Sequence, residues 1–148
     1  MTSTPRDLVL DASVAIKWYT GEVHSAEALR FLSTGYEMHV PAFFAAECSN
    51  VILKKSLQRG EIPITEARAI LGKLFTYPLR VHPVDLLAIR GFDLAIGVGR
   101  PKLAIYDFLY LALAIRLDCG YLTADRVFYD AMQPTPHGSR MVWVADPI

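Results

Sequence analysis

Five short apolar runs, each followed or preceded by a helix-forming segment, constrain this chain more than any other feature. The runs are Leu8–Leu10, Met38–Val40, Leu79–Val81, Tyr121–Thr123 and Met141–Val144. Helical punctuation fills the intervals. Ala12–Tyr19 reads as one helix. His24–Gly35 reads as another, with Ala28, Phe31 and Leu32 on one stripe and Gly35 as its stop. Pro41 falls where a first helical position belongs, and that helix runs to about Arg59 before Gly60. Thr65 is placed to cap Glu66–Tyr77, which Pro78 ends. Further helices are expected over Val84–Val98, Ala104–Asp118 and, capped by Asp125, up to Met132. Gly97–Pro101 and Gln133–Ser139 read as loops. Strands this short, alternating with helices, predict an α/β fold with a central parallel sheet covered on both faces.

At 148 residues the chain predicts a single domain over 1–148, with the polar Met1–Asp7 as a flexible N-terminus. A composition of 53% hydrophobic and 20% charged residues excludes general disorder. Cys48 and Cys119 lie in apolar surroundings and fit reduced thiols in a cytoplasmic protein rather than a disulfide scaffold. The N-terminus has no apolar targeting core. Leu103–Leu117 is interrupted by Asp107 and Arg116 and is shorter than the ~20 residues a bilayer needs, so no membrane role is expected. Fifteen Lys and Arg balance 15 Asp and Glu, which excludes a global basic footprint. Any anion-binding surface must be local.

Four carboxylates stand in unusual places. Asp11 follows the first strand and Asp125 follows the fourth, at the edge where parallel sheets bind ligands. Asp107 lies near the start of the apolar helix. Glu47 lies six residues after Pro41, among Phe43, Phe44 and Val51 at helical spacing. Neither Glu47 nor Asp107 has a Lys or Arg three or four residues away. A carboxylate on an apolar stripe is costly unless paired or metal-bound.

Each acid also has an ordinary structural reading. Asp11 and Asp125 suit helix N-caps, Asp107 suits a helix macrodipole, and Glu47 suits a distant Arg. Taken together, four converging carboxylates without counter-charge would repel strongly. A hard divalent cation removes that repulsion. Oxygen ligands without a nearby His or Cys favour Mg²⁺ or Mn²⁺ over Zn²⁺. The matching chemistry is phosphodiester hydrolysis by a metal-activated water. Without the four acids, 15 basic residues face 11 acidic ones elsewhere in the chain. Lys17, Lys54, Lys55, Arg59, Arg100, Lys102 and Arg126 follow or flank the site elements and are candidates for phosphate contacts, each with solvated surface charge as the competing reading.

The segments Val9–Trp18 (VLDASVAIKW), Val40–Asn50 (VPAFFAAECSN), Ile105–Ala114 (IYDFLYLALA) and Leu122–Arg126 (LTADR) resemble the PIN-domain family, specifically the VapC-type toxins of toxin–antitoxin pairs. The order and spacing match over nearly the whole chain. The resemblance implies a three-layer α/β/α fold and an acidic cluster that binds Mg²⁺ or Mn²⁺ and cleaves RNA. By position, Asp11, Glu47, Asp107 and Asp125 match the metal-binding and catalytic acids. Ser13 and Thr123 match the supporting hydroxyls, with capping or packing as their competing reading. The resemblance further implies a homodimer and a VapB-type antitoxin partner.

Two positions depart from the pattern. Many relatives carry Ser where this chain has Ala104, and a small residue where it has Phe108. Ala104 removes a helix cap, and Phe108 is expected to narrow the groove or meet a partner. Asp130 is a candidate fifth acid, with pairing to Arg126 one turn away as its competing reading.

His24, His39, His82 and His137 show no ligand spacing. Trp18, Tyr106, Tyr110 and Phe128 read first as core, with base stacking as the second reading. Cys48 has no evident His partner and is not read as a nucleophile. Two other functions compete. One is a catalytically silent PIN-like RNA- or protein-binding module, which four retained acids disfavour. The other is a phosphorelay receiver, disfavoured because Met141–Ile148 lacks the Lys expected after a fifth strand.

Overall fold

The computed structural model describes residues 6–148, and Met1–Pro5 of the expected flexible N-terminus lie outside the described residues. Five strands form one sheet: β1 (Arg6–Leu10), β2 (Tyr36–Pro41), β3 (Leu79–His82), β4 (Gly120–Thr123) and β5 (Met141–Trp143). Every pairing is parallel, in the order β3-β2-β1-β4-β5. Among the described residues, seven α-helices connect them: α1 (Ala12–Lys17), α2 (Ser25–Leu29), α3 (Phe44–Leu53), α4 (Ile64–Thr76), α5 (Asp85–Val98), α6 (Ile105–Leu117) and α7 (Arg126–Met132).

The consecutive residues Leu8, Val9 and Leu10 are all buried. Successive strand side chains point to opposite faces, so both faces of β1 are covered. Helix α6 spans β1, β2 and β4. Leu109 to Ala114 are all buried, which accounts for a helix apolar on every side. Gly91 lets α5 approach closely: a Cβ there would stand 2.8 Å from a Leu109 methyl carbon. The strand order reverses between β1 and β4, and that switch point opens at the carboxyl ends of the strands.

Several local expectations are corrected. Strand β1 begins at Arg6, so Arg6 and Asp7 pair with Tyr36 and Glu37 instead of belonging to a free terminus. Pro41 ends β2 and does not open a helix. The ladder continues past it, with the Ala42 N–H donating to the His82 carbonyl at 2.8 Å. Helix α3 starts at Phe44 and widens into a π-turn over Lys54–Gln58 instead of running as one α-helix to Arg59. Thr65 does not cap α4, because the extended backbone of Pro63 already sets the entry. The expected helix over His24–Gly35 breaks into α2 and a 3₁₀ turn at Arg30–Ser33. A three-residue turn keeps Ala28 and Phe31 on one side and rotates Leu32 outward. Helix α5 ends at Val98 as expected, with Gly99 at φ +67° stopping it, so only the assignment of Gly97 to the loop is corrected.

The histidines are not all scattered in space. His39 Nδ1 meets His82 Nε2 at 2.9 Å, and His39 Nε2 meets Asp7 Oδ1 at 3.0 Å. Three parallel strands bring these residues together across gaps that no short-range spacing rule reaches.

Candidate active site

Asp11 and Asp125 occupy the carboxyl ends of β1 and β4 on either side of the switch point. Asp11 is 3% exposed. Its Oδ2 accepts from Thr123 Oγ1 at 2.6 Å and from Ser13 Oγ at 2.9 Å, and its Oδ1 accepts from the Ser13 N–H at 3.4 Å. Both hydroxyls are themselves bonded by backbone donors. The Ala124 N–H donates to Ser13 Oγ at 3.1 Å, and the Asp125 N–H donates to Thr123 Oγ1 at 3.0 Å. A hydroxyl has one proton, so filling its acceptor side with an N–H aims that proton at the carboxylate. Ser13 and Thr123 thereby fix Asp11 as an acceptor. Burial still raises the Asp11 pKa, against the lowering effect of these bonds and with a small push from Asp125.

Asp125 caps α7, its Oδ1 accepting from the Phe128 N–H at 3.1 Å. The capping reading therefore holds for both strand-end acids. It does not exclude a second role, because each cap leaves acceptor capacity on its carboxylate.

Glu47 and Asp107 come from first turns of helices. Glu47 is the fourth residue of α3, nearer the sheet edge than a helix starting at Pro41 would place it. Tyr110 donates its hydroxyl to Glu47 Oε1 at a long 3.5 Å. Asp107 sits one turn before Tyr110 on α6. Neither acid forms an ion pair with a described residue, so the expected alternative of a distant Arg for Glu47 is absent among them. Burial pushes the Asp107 carboxyl up to about 8, helped by Asp11, Asp125 and Glu47. Burial, then Asp11, pushes Glu47 up to about 7. The four acids thus share one electrostatic neighbourhood of like charge.

Two further tyrosines belong to this site. Tyr110 and Tyr121 stack with ring centroids 5.5 Å apart and planes 5° from parallel. The Tyr121 hydroxyl is buried and has no hydrogen-bond partner among the described residues. Sequence gives one signal for them: Tyr110 follows Asp107 by three on a helix, and Tyr121 precedes Thr123 by two on a strand, so each shares a face with a site residue.

Glu47 and Asp107 open onto a groove of about 470 Å³, lined also by Phe43, Ala46, Asn50, Ala104 and Tyr106. A larger groove beside Arg90 and His137 contains none of the acids. Ala104 holds the N-cap position of α6 without a side-chain bond, as expected. Phe108 is a correction. It is 1% exposed and packs edge-on against Phe128, so it neither narrows the groove nor offers itself to a partner. Tyr106 reverses the core expectation, being 55% exposed, whereas Trp18, Tyr110 and Phe128 are buried. Asp130 pairs with Arg126 at 3.5 Å. Lys17 and Lys55 pair with Glu22, and Arg59 with Glu61. That leaves Lys54, Arg100 and Lys102 as the candidate phosphate contacts without an ion pair to a described residue. Cys48 is buried, which raises its thiol pKa and fits an inert role.

The donor set fits a hard divalent cation: oxygen ligands only, partly desolvated, with no cation beside them. Asp11, Glu47, Asp107 and Asp125 are the residues that would hold it. Among the described residues, no three His, Cys, Asp or Glu side chains are gathered closely enough to form a finished coordination group. Uncompensated carboxylates repel one another, so a loose cluster is the physical expectation for the protein alone.

Fold and site together define an α/β protein with an acidic cluster at a topological switch point. The chain matches the PIN domain over residues 8–132 and belongs to the PIN-domain family. Among solved structures, it is similar to PAE2754 of Pyrobaculum aerophilum, with 18% identity, TM-score 0.63, and coverage of 94% of this chain and 84% of that one. It is similar to a chain of a toxin–antitoxin complex from Klebsiella pneumoniae, with 16% identity, TM-score 0.59, and coverage of 95% and 99%. It is also similar to Mycobacterium tuberculosis VapC20, described as a toxin that cleaves the sarcin–ricin loop, with 15% identity, TM-score 0.59, and coverage of 75% and 83%. Identities this low establish a shared fold. No curated protein matches the sequence. No helix among the described residues is long and apolar enough to cross a membrane.

Proposed function

We propose that this PIN domain is a Mg²⁺- or Mn²⁺-dependent endoribonuclease and the toxin of a VapBC-type toxin–antitoxin pair acting in the cytoplasm. The observation that carries the reading is the unpaired acid pair. Glu47 and Asp107 are pushed up to about 7 and about 8 with no cation beside them, which is costly for a protein that uses them only as structure. The bound cation would supply a nucleophilic water and neutralise charge on the phosphoryl oxygens. Asp11 is fixed by Ser13 and Thr123 so that its carboxylate cannot turn away. Asp125 is fixed by the start of α7. Glu47 and Asp107, with few bonds of their own, adjust to the ligand. Lys54, Arg100 and Lys102 supply charge for the RNA backbone.

Two exposed apolar faces support protein partners, here a second copy and a VapB-type antitoxin. One is Leu86, Ile89, Phe92 and Ile96 on α5, and the other is Leu53, Leu57 and Ile64 around the α3–α4 connection. The fold of a chain from a toxin–antitoxin complex supports the same assignment.

The test is cleavage of tRNA, rRNA and mRNA by the purified, antitoxin-free protein with Mg²⁺ or Mn²⁺, then with chelator, beside Asp107→Asn. Cleavage that requires both the cation and Asp107 is expected. RNA binding without turnover in the folded, metal-loaded protein would replace the nuclease with a binding module.

A further inference from the structure

We infer that Tyr106, with Phe43 and Asn50, forms a subsite for one unpaired nucleobase of the RNA beside the scissile phosphate. This rests on the nuclease reading and names what the groove recognises.

Helix α6 is buried along Phe108–Ala114, yet Tyr106 in its first turn is 55% exposed. Its ring is nevertheless held in place. Tyr106 meets Phe43 edge-to-face at 5.4 Å, and Phe43 meets Tyr110 edge-to-face at 5.3 Å. Tyr110 in turn donates to Glu47. A ladder of rings thus runs from the acid cluster to the surface and orders the exposed ring at its end. An ordered aromatic loses little side-chain entropy when a base stacks on it.

The polar side of the groove is Asn50. It lies one turn beyond Glu47 on α3 and is exposed, and its amide has no hydrogen-bond partner among the described residues. An amide offers a donor and an acceptor together, the pattern that reads a base edge. Ala46 and Ala104 on the groove walls are small and leave it open. Tyr106 lines the same groove as Glu47 and Asp107, so the stacking ring stands beside two of the acids. Lys102 and Arg100, just before α6, carry positive charge to the same end of the helix. A stacking ring, a base-edge amide and nearby cations match a single-stranded nucleotide. Bases inside a duplex are already stacked and do not present a free face.

The experiment compares wild type, Tyr106→Ala, Tyr106→Phe and Asn50→Ala. Fluorescence anisotropy in chelator reads binding of a labelled single-stranded oligoribonucleotide and its duplex. Cleavage kinetics with Mn²⁺ and mapping of product ends read base choice. Tyr106→Ala should weaken single-strand binding by roughly tenfold and raise KM more than it lowers kcat. Tyr106→Phe should restore both, because stacking needs the ring and not the hydroxyl. Asn50→Ala should change which base adjoins the cut. Duplex binding should be the same in all four proteins. Wild-type affinity and cut sites in Tyr106→Ala overturn the inference, as does failure of Tyr106→Phe to rescue. So does loss of affinity for an antitoxin peptide in place of RNA. Tyr106-dependent RNA binding without any cleavage removes the nuclease reading and upholds the subsite. Cleavage indifferent to Tyr106 does the reverse.

Discussion

The two strand-end acids and the two helix-turn acids meet at one site but are built differently. Asp11 and Asp125 are tied down: Asp11 by two hydroxyls and a backbone N–H, Asp125 by its helix cap. Glu47 has one long hydrogen bond and Asp107 has no ion partner among the described residues. The strand-end pair is held by caps and bonds, although burial outweighs those bonds at Asp11 and raises its pKa as well. The helix-turn pair is costly to ionise, and protonation or a bound cation would offset that cost. A site can therefore hold firmly bonded and loosely bonded carboxylates side by side.

The strongest way to break this contrast is Asp107→Asn. RNA cleavage should fall by at least about a hundredfold, while thermal stability at neutral pH should rise. Measuring both in one preparation is decisive. Lost activity together with lost stability would mean that Asp107 is structural after all.

A pH series sharpens the same contrast. Asp107 ionises near 3.8 in the unfolded chain and at about 8 in the folded one, so the folded state holds the extra proton between those values. Stability must fall as pH rises through that window. The stability advantage of Asp107→Asn over wild type in chelator should be near zero below pH 4. It should grow to on the order of a few kcal/mol by pH 8 and shrink again with saturating Mn²⁺. Chemical denaturation at each pH measures it, and a flat difference across the window contradicts the raised pKa.

The strand-end pair predicts the opposite sign. Thr123→Val keeps shape but leaves Asp11 Oδ2 and the Asp125 N–H short of a partner, and should cost about 1–3 kcal/mol. Ser13→Ala removes the corresponding two bonds from a less buried position and should cost about 1 kcal/mol. Denaturant titration of both variants checks the ranking. A neutral Thr123→Val would show that the hydroxyl does not hold Asp11.

The acids were legible because each broke a local rule. Glu47 and Asp107 interrupt apolar helical stripes, and Asp11 and Asp125 follow short strands. The alternation of strands and helices was equally legible, since only a covered parallel sheet accommodates it. What stayed hidden depends on long-range geometry. Thr123 and Asp11 lie 112 residues apart, and only the β1–β4 pairing brings them together. Phe108 looked like a groove residue because it adjoins Asp107, but its place on α6 turns it inward onto Phe128. Tyr106 looked like core for the mirror-image reason. Adjacent positions on a helix point about 100° apart, so sequence proximity to an acid is a poor guide to its surroundings.

The Ser13–Asp11–Thr123 network carries a consequence for how such a chain can change over generations. Each hydroxyl bonds the same carboxylate oxygen and a backbone N–H, that of Ala124 across the strands for Ser13 and that of Asp125 two residues on for Thr123. A single replacement strands groups that the other two residues still expect to satisfy. Replacing all three with matched apolar side chains would erase the chemistry and still leave the Ala124 and Asp125 N–H groups without their acceptors. Drift at these positions is therefore uphill one step at a time, and the easier descent into inactivity runs through Asp107, where a single substitution is expected to gain stability.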